Sequence, residues 1–359
     1  MEPGFFIGAG AEMVKKADDK IDGGLNSIQK SLRTRIKLYR SRAGEIEEYL
    51  SAKPHHWGKL QSEFNSEVNG IFREIMNFEK ENLMRGRADR PAKLKRLFIN
   101  RIRDLFMKGV YIEWSLKKPY GYAGDFKIID DIYLNDPATT GFDRLFDNYY
   151  QMSSICVAVR NRKEDFKRLL VDFINNGRKK SYRVMSLASG SCRELSEILS
   201  SNALRGRDVT FDCYDNEQEA LDFAKGLLPE NAPVNLVKQN ALKMSATKKI
   251  GSLIGQKYDF IYSAGLFDYL NHRISARLVT NLKQVLNPGG VLAISNVRDK
   301  YSNPSVHFME WVGDWNLIYR SDEEFKNSFL EAGFRETELK TAYEQQGIMQ
   351  YIVSCNTRE

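Results

Sequence analysis

Cysteine is scarce in this chain, and the four present, Cys156, Cys192, Cys213 and Cys355, are scattered with no Cys-x-x-Cys pair. Histidine is equally scarce, and His55, His56, His272 and His307 form no ligand spacing with them. Neither a disulfide framework nor a metal site is indicated. No stretch reaches the eighteen or so uninterrupted apolar residues of a membrane span. The start, Met1 to Gly10, has neither the basic region nor the apolar length of a signal peptide, so a cytoplasmic location is expected. No internal repeat or low-complexity segment is evident.

What is present suits a large soluble protein. The 359 residues are 42% hydrophobic and 28% charged, enough for a sizeable core and two domains. The net charge of +7 is uneven: residues 1–110 hold 22 Lys and Arg against 15 Asp and Glu, and the remainder is balanced. A basic N-terminal part can track nucleic-acid phosphate. A solvated helix face explains it better, because Lys30 to Arg42 places its basic residues around a stripe of Leu32, Ile36 and Tyr39. Further helices are predicted from Leu60, Phe64, Val68, Ile71, Phe72 and Ile75, and from Leu94, Phe98, Ile102, Leu105 and Phe106, with a break at Arg90-Pro91. The first 25 residues, with Gly4, Gly8, Gly10 and Gly23-Gly24, are weakly specified.

The most informative stretch runs from Tyr182 to Leu195. Val184 to Leu187 read as a buried strand, Ala188 to Ser191 as a tight turn, Arg193 to Ser200 as a helix, and Val209 to Tyr214 as the next strand, which places Asp215 at its carboxyl end. An acid there can accept both hydroxyls of a ribose. A dinucleotide turn needs three glycines so that pyrophosphate can approach bare backbone. Here only Gly190 is glycine, and Cys192 and Glu194 stand nearby. A carboxylate would repel pyrophosphate. S-adenosyl-L-methionine, with adenine, ribose and a positive sulfonium but no phosphate, fits such a turn better than NAD. An ordinary strand-turn-helix is the plain alternative.

Further αβ units follow. Tyr258 to Leu270 gives a buried strand and a loop containing Gly265, and Leu286-Asn-Pro-Gly-Gly to Val297 gives a helix end, a sharp turn and a strand. Phe334 to Thr341 and Gly347 to Cys355 can pair as an antiparallel hairpin at the sheet edge. Residues 155–355 therefore resemble the class I S-adenosylmethionine-dependent methyltransferases. The expected fold is α/β, a Rossmann-like parallel sheet with a C-terminal antiparallel hairpin (151–359), preceded by an N-terminal helical cap (1–150) carrying a lid loop at 117–126. Five islands, Ser186–Leu195, Gly121–Phe126, Ala158–Arg162, Gly265–Leu270 and Trp315–Arg320, resemble the extracellular-factor 3-hydroxypalmitic acid methyl ester biosynthesis proteins. Ser189 and Gly190-Ser191 depart from that family's usual small-Cys-Gly-Pro turn.

The resemblance implies site roles. Ala188, Ser189 and Gly190 should lie along the methionine moiety, Asp215 should hold the ribose, and Asn216 should border ribose or adenine. Asn240 and Ala241 should meet the adenine, and Ser263 and Gly265 should lie beneath the sulfonium. Arg160 is a candidate for the methionine carboxylate, and the resemblance places Tyr122 and Asp125 at the mouth of the site. Each is otherwise a cap, turn or surface residue.

Methyl transfer is an in-line displacement, so most of the task is alignment. A carboxylate acceptor is already ionised at neutral pH, whereas a hydroxyl or ammonium needs a base. His307 and Glu310 are candidate bases, and Tyr122 and Tyr319 can orient the acceptor. The aromatic run Tyr301, Phe308, Trp311, Trp315 and Tyr319 can wall an apolar acyl pocket or pack as core. The expected activity is methylation of a small-molecule oxygen, with a hydroxy-fatty acid carboxylate as the family-implied acceptor. Two alternatives stay open: an enzyme of this fold that cyclises or cleaves the cofactor to methylthioadenosine, and a nucleic-acid methyltransferase. Against the latter, Ser263 to Asp268 stands where an Asn-Pro-Pro-Tyr motif would be.

Overall fold

The computed structural model describes residues 30–356 apart from 202 and 205, so the weakly specified first 25 residues lie outside it. The described chain forms two compact units, neither continuous in sequence. One comprises 30–117, Pro137–Met152 and Pro304–Trp315. The other comprises Lys118–Asp136, Ser153–Asn303 and 316–356. The division expected at 150/151 is thus modified twice: most of the lid loop belongs to the sheet unit, and 304–315 belongs to the helices.

The helical unit contains α1 (Lys30–Ala52), α2 (Gln61–Met84), α3 (Asp89–Arg101) and α4 (Val110–Lys117). The chain then passes through α5 (Phe126–Leu134) of the other unit and returns as α6 (Gly141–Met152). The apolar stripes do what their spacing predicts: Leu32, Ile36 and Tyr39 on α1 and Phe64, Val68, Ile71, Phe72 and Ile75 on α2 are buried. Pro91 sits inside the first turn of α3, where it removes no helical hydrogen bond, so the break falls just before it. Segment 304–315 belongs here because of its aromatic residues. The Phe308 ring lies 5.5 Å from Phe72 and 4.8 Å from Tyr149, and Trp311 lies 5.4 Å from Phe98. Of the two roles expected for that run, Phe308 and Trp311 take the packing one.

The sheet unit follows the order α7 (Ser154–Asn176), β1 (Ser181–Leu187), α8 (Arg193–Leu199), β2 (Asp208–Asp215), α9 (Gln218–Leu227), β3 (Val234–Lys238), α10 (Ala241–Ala246) and α11 (Ile250–Ile254). It continues through β4 (Tyr258–Ser263), α12 (His272–Gln284), β5 (Leu286–Val297), α13 (Asp322–Glu331), β6 (Leu339–Tyr343) and β7 (Met349–Cys355). The strands are ordered β3-β2-β1-β4-β5-β7-β6. β1 to β5 are parallel, and β7 runs antiparallel to both β5 and β6. This is a Rossmann-like sheet with the C-terminal antiparallel hairpin expected from the sequence. The hairpin strand begins at Leu339 rather than Phe334, because Phe334 packs into the core and Glu336–Glu338 form a helical turn.

Both faces of the central strands are covered, and β4 is buried along its whole length. On β4, Phe260 and Tyr262 meet Phe173 and Phe166 of α7, with ring centroids 5.2 and 5.8 Å apart. Ile261, pointing the other way, shares a cluster with Leu278, Val279 and Leu282 of α12 and with Phe325 and Phe329 of α13. The Asn-Pro-Gly-Gly turn is an irregularity at the start of β5: Leu286 pairs with Tyr258, but Val291 already pairs with Phe260. A Cβ at Gly290 would stand 2.9 Å from the Asn287 carbonyl and 3.0 Å from that of Tyr258. Gly290→Ala is therefore expected to destabilise the fold by about 1–3 kcal/mol, measured by urea unfolding. An unchanged midpoint would contradict this backbone approach.

Candidate functional site

The loops at the carboxyl ends of β1, β2 and β4 build the candidate site, and its centre is the turn after β1. Three of its residues are left-handed: Ala188 at φ +53°, Gly190 at +56° and Cys192 at +52°. For an L-residue that conformation costs about 1–2 kcal/mol. Hydrogen bonds hold it in place. The Ser189 amide donates to the Tyr214 carbonyl at 3.1 Å, and the Cys192 amide donates to the Ser189 carbonyl at 3.1 Å. The Gly190 amide donates to Asp215 Oδ2 at 2.8 Å. The other oxygen, Oδ1, accepts the Glu217 amide at 3.0 Å. Counting one glycine in this turn understated it, since Ala188 and Cys192 take the shape that glycine usually supplies and keep their side chains.

Asp215 is only 8% exposed. Burial raises its carboxyl pKa, and the amides of Glu217 and Gly190 offset only part of that rise. Each oxygen retains acceptor capacity beyond its amide bond. Glu194 differs from expectation. Its carboxyl accepts the Tyr262 hydroxyl at 2.7 Å, and burial raises its pKa. The Ser189 hydroxyl oxygen is buried without a hydrogen-bond partner.

Neighbouring strand ends are tied to the turn and to one another. Ser263 Oγ donates to the Leu187 carbonyl at 2.9 Å, joining β4 to β1. Asn240 caps α10, accepting the Leu242 amide at 2.7 Å, and its Nδ2 donates to Asn216 Oδ1 at 2.9 Å. These two asparagines thus link the ends of β2 and β3, with Ala241 opening α10 beside them.

The deeply buried arginine of α7 is Arg162, two residues past the candidate Arg160. Arg160 is half-buried and donates to the Ile132 carbonyl at 3.3 Å. Arg162, 5% exposed, pairs with Asp268 at 3.2 Å and lies 3.4 Å from where a Cβ on Gly265 would stand. Its Nε is buried without a partner. Burial pushes the phenol of Tyr133 up to about 12, and the Arg162 guanidinium offsets part of that rise. Asp268 also accepts the Val297 amide at 2.6 Å and Asn296 Nδ2 at 3.0 Å, and burial pushes its carboxyl up to about 6. Both residues lie in sequence islands that carry the resemblance, but nothing in sequence pairs positions 106 apart.

The loop before α5 belongs to the same unit. Asp125, fully buried, caps α5 by accepting the amides of Lys127 and Ile128, each at 3.0 Å. Tyr122 lies 5.8 Å from Tyr269, edge to face. Burial and then the carboxylates of Asp215, Asp125 and Glu217 push its phenol well above the usual tyrosine range. Tyr319 is half-buried, and its neighbour Ile318 donates its amide to the Asp268 carbonyl at 2.7 Å. His307 lies instead in the helical unit. It is fully buried, hydrogen-bonds Glu79 through Nε2 and meets the Trp311 edge at 5.2 Å. Glu310 is buried in that unit too. The other site candidates lie in the sheet unit. Among the described residues no helix is long and apolar enough to cross a membrane.

No protein-family model and no curated protein matches the sequence. Among solved structures, a possible exported protein from Bordetella parapertussis is similar, with 18% identity over 95% of this chain and 97% of that one and a TM-score of 0.53. More distant are the carbon methyltransferase CurJ, with 14% identity over 75% and 71% and a TM-score of 0.48, and magnesium protoporphyrin IX methyltransferase from Synechocystis with bound SAH, with 10% identity over 57% and 88% and a TM-score of 0.42. The first likeness concerns the fold, and the other two are too distant to carry more.

The left-handed backbone at Ala188 makes a direct prediction. Ala188→Gly removes a steric cost of about 1–2 kcal/mol and adds about 0.5–1 kcal/mol of unfolded-state entropy. A small net stabilisation is expected, read as a higher denaturation midpoint. A lowered midpoint would mean that the alanine methyl contributes more than its backbone costs.

Proposed function

We propose that the sheet unit binds S-adenosylmethionine at the carboxyl edge of its strands and that the protein transfers the cofactor's methyl group to a small-molecule oxygen. The observation that carries this reading is the left-handed turn closed on the Asp215 carboxylate. Two buried polar atoms without partners, Ser189 Oγ and Arg162 Nε, belong to the same edge and fit an amino-acid-bearing nucleoside. When bound, the cofactor supplies a methyl group on a positive sulfonium.

The roles of the residues follow from their chemistry. Asp215, with acceptor capacity left on each oxygen, holds a vicinal diol. Ala188, Ser189 and Gly190 line the methionine chain, and Ser263 and Gly265 close the floor below it. Asn216, Asn240 and Ala241 border the base. Arg162, rather than Arg160, takes the carboxylate, because its guanidinium is already desolvated and still has an N–H to give.

Tyr122 orients the acceptor as a donor. Burial and three neighbouring carboxylates keep its phenol protonated at neutral pH, which makes it a poor base. Tyr319, on the segment held to Asp268, assists. An acceptor that arrives ionised needs no base, which supports a carboxylate and agrees with the hydroxy-fatty acid implied by the sequence resemblance.

Incubation with S-adenosylmethionine, alone and with a metabolite extract, tests the reading by mass spectrometry of adenosyl products. S-adenosylhomocysteine is expected only with the extract; methylthioadenosine from the cofactor alone would replace methyl transfer with cyclisation or cleavage. Asp215→Asn should weaken S-adenosylhomocysteine binding at least tenfold by calorimetry. Arg162→Lys, which keeps the charge beside Asp268, should weaken S-adenosylhomocysteine about 10- to 100-fold, from about 1.5–3 kcal/mol for a charged hydrogen bond. It should leave methylthioadenosine, which has no carboxylate, unaffected. Equal losses for both ligands would remove Arg162 from the carboxylate role.

A further inference from the structure

One ion pair beside the turn, a buried carboxylate with a partly buried guanidinium, has no part in the chemistry above. Arg193 directly follows left-handed Cys192 and opens α8. Its Nε donates to Asp130 Oδ1 at 2.6 Å and its terminal nitrogen to Oδ2 at 2.7 Å, a two-pronged pair between α8 and α5. The Asp130 side chain is 2% exposed. Such a pair is weak evidence for overall stability, because the carboxylate loses its hydration and the guanidinium part of its own; its distinctive property is fixed geometry.

A second contact secures α5 at the same place. A Cβ on Gly190 would stand 3.7 Å from Phe126 Cβ, so the first residue of α5 lies against the middle of the turn. The Phe126 ring is 5.6 Å from Phe223 of α9 and 4.8 Å from Tyr120. Asp125 then caps the helix from within. Between Tyr120 and Asp130 the chain is thus fixed by an apolar plug, a cap and a forked ion pair, and Tyr122 lies inside that stretch. Left-handed non-glycine residues persist only where their surroundings over-determine them, and Cys192 is buried beside the residue that carries the fork.

We propose that the Asp130–Arg193 pair is the positioning clamp of this site, holding α5 on the left-handed turn and with it the loop that carries Tyr122. Its contribution is preorganisation: the loop is ordered before a ligand arrives, so binding does not have to order it. Arg193 and Asp130 are positioning residues that act through Tyr122 and the turn. The affinity part of this inference rests on the cofactor reading above, and the part about loop order does not.

The test uses the full chain. In Arg193→Lys, which keeps the charge and loses the fork, amide hydrogen exchange of the ligand-free protein should rise at least tenfold in peptides covering 118–126, with β1, β4 and β5 unchanged. S-adenosylhomocysteine affinity should fall at least tenfold by calorimetry. In a Tyr122→Phe background the same substitution should cost less than half as much affinity, a coupling that plain fold support would not produce. Unchanged exchange in 118–126, or affinity losses that simply multiply, would overturn the clamp. If Arg193→Lys loosens the whole sheet, the isosteric Asp130→Asn repeats the test, and general loosening in both variants also overturns it. If the unmodified protein binds no S-adenosylhomocysteine, the cofactor reading falls and the exchange result alone decides the clamp.

Discussion

The hydrogen bond from the Gly190 amide to Asp215 is the constraint on which the rest of the site depends. It ties the turn after β1 to the end of β2, and through the Glu217 amide the same carboxylate fixes the start of the next helix. A carboxylate that is nearly buried yet bonded to two backbone amides cannot move without stranding them. The three left-handed residues are tolerable because this bond and the Ser189-to-Tyr214 bond leave the backbone no cheaper path.

Around that constraint, the buried charges of the sheet unit are arranged in forks and hubs. Asp268 receives a backbone amide, a side-chain amide and a guanidinium. Arg320, itself buried, donates to the carbonyls of Phe267 and Leu270, and so holds the loop after β4. Removing one partner from such a group leaves an uncompensated charge, which costs far more than the intact pair gains. Each pair therefore restricts where a loop can lie more than it raises the stability of the whole. Loops that carry a binding site gain from that restriction, since a ligand meets them already ordered.

Much of this was legible in the sequence because it is local. Val184 to Leu187 and Tyr258 to Ser263 are mostly apolar segments, buried along their length, and Asp215 stands at a strand end that the sequence pattern locates. What escaped was non-local or conformational. Residue type marks Gly190 as left-handed but gives no sign that Ala188 and Cys192 join it, because that depends on hydrogen bonds to β2. Arg160 and Arg162 look alike in a helical sequence, and only the contact with Asp268 and Gly265 separates them. Segment 304–315 follows a sheet strand, yet its aromatic rings place it in the helical core. Order along the chain predicted neighbours well within βα units and poorly where a segment crosses between cores.

Protonation then narrows the chemistry under the proposed function. A phenol surrounded by carboxylates in a desolvated place holds its proton, so Tyr122 offers a donor at neutral pH and withholds a base. Asp268, though pushed up to about 6, has its oxygens committed to an arginine and two amide donors. His307, the obvious base by residue type, has Nε2 engaged by Glu79 in the core of the helical unit. The groups gathered at the carboxyl edge are thus suited to donating hydrogen bonds rather than to removing a proton. A reaction that needs alignment more than proton removal is the one such a set favours, and methyl transfer to an already ionised oxygen is of that kind.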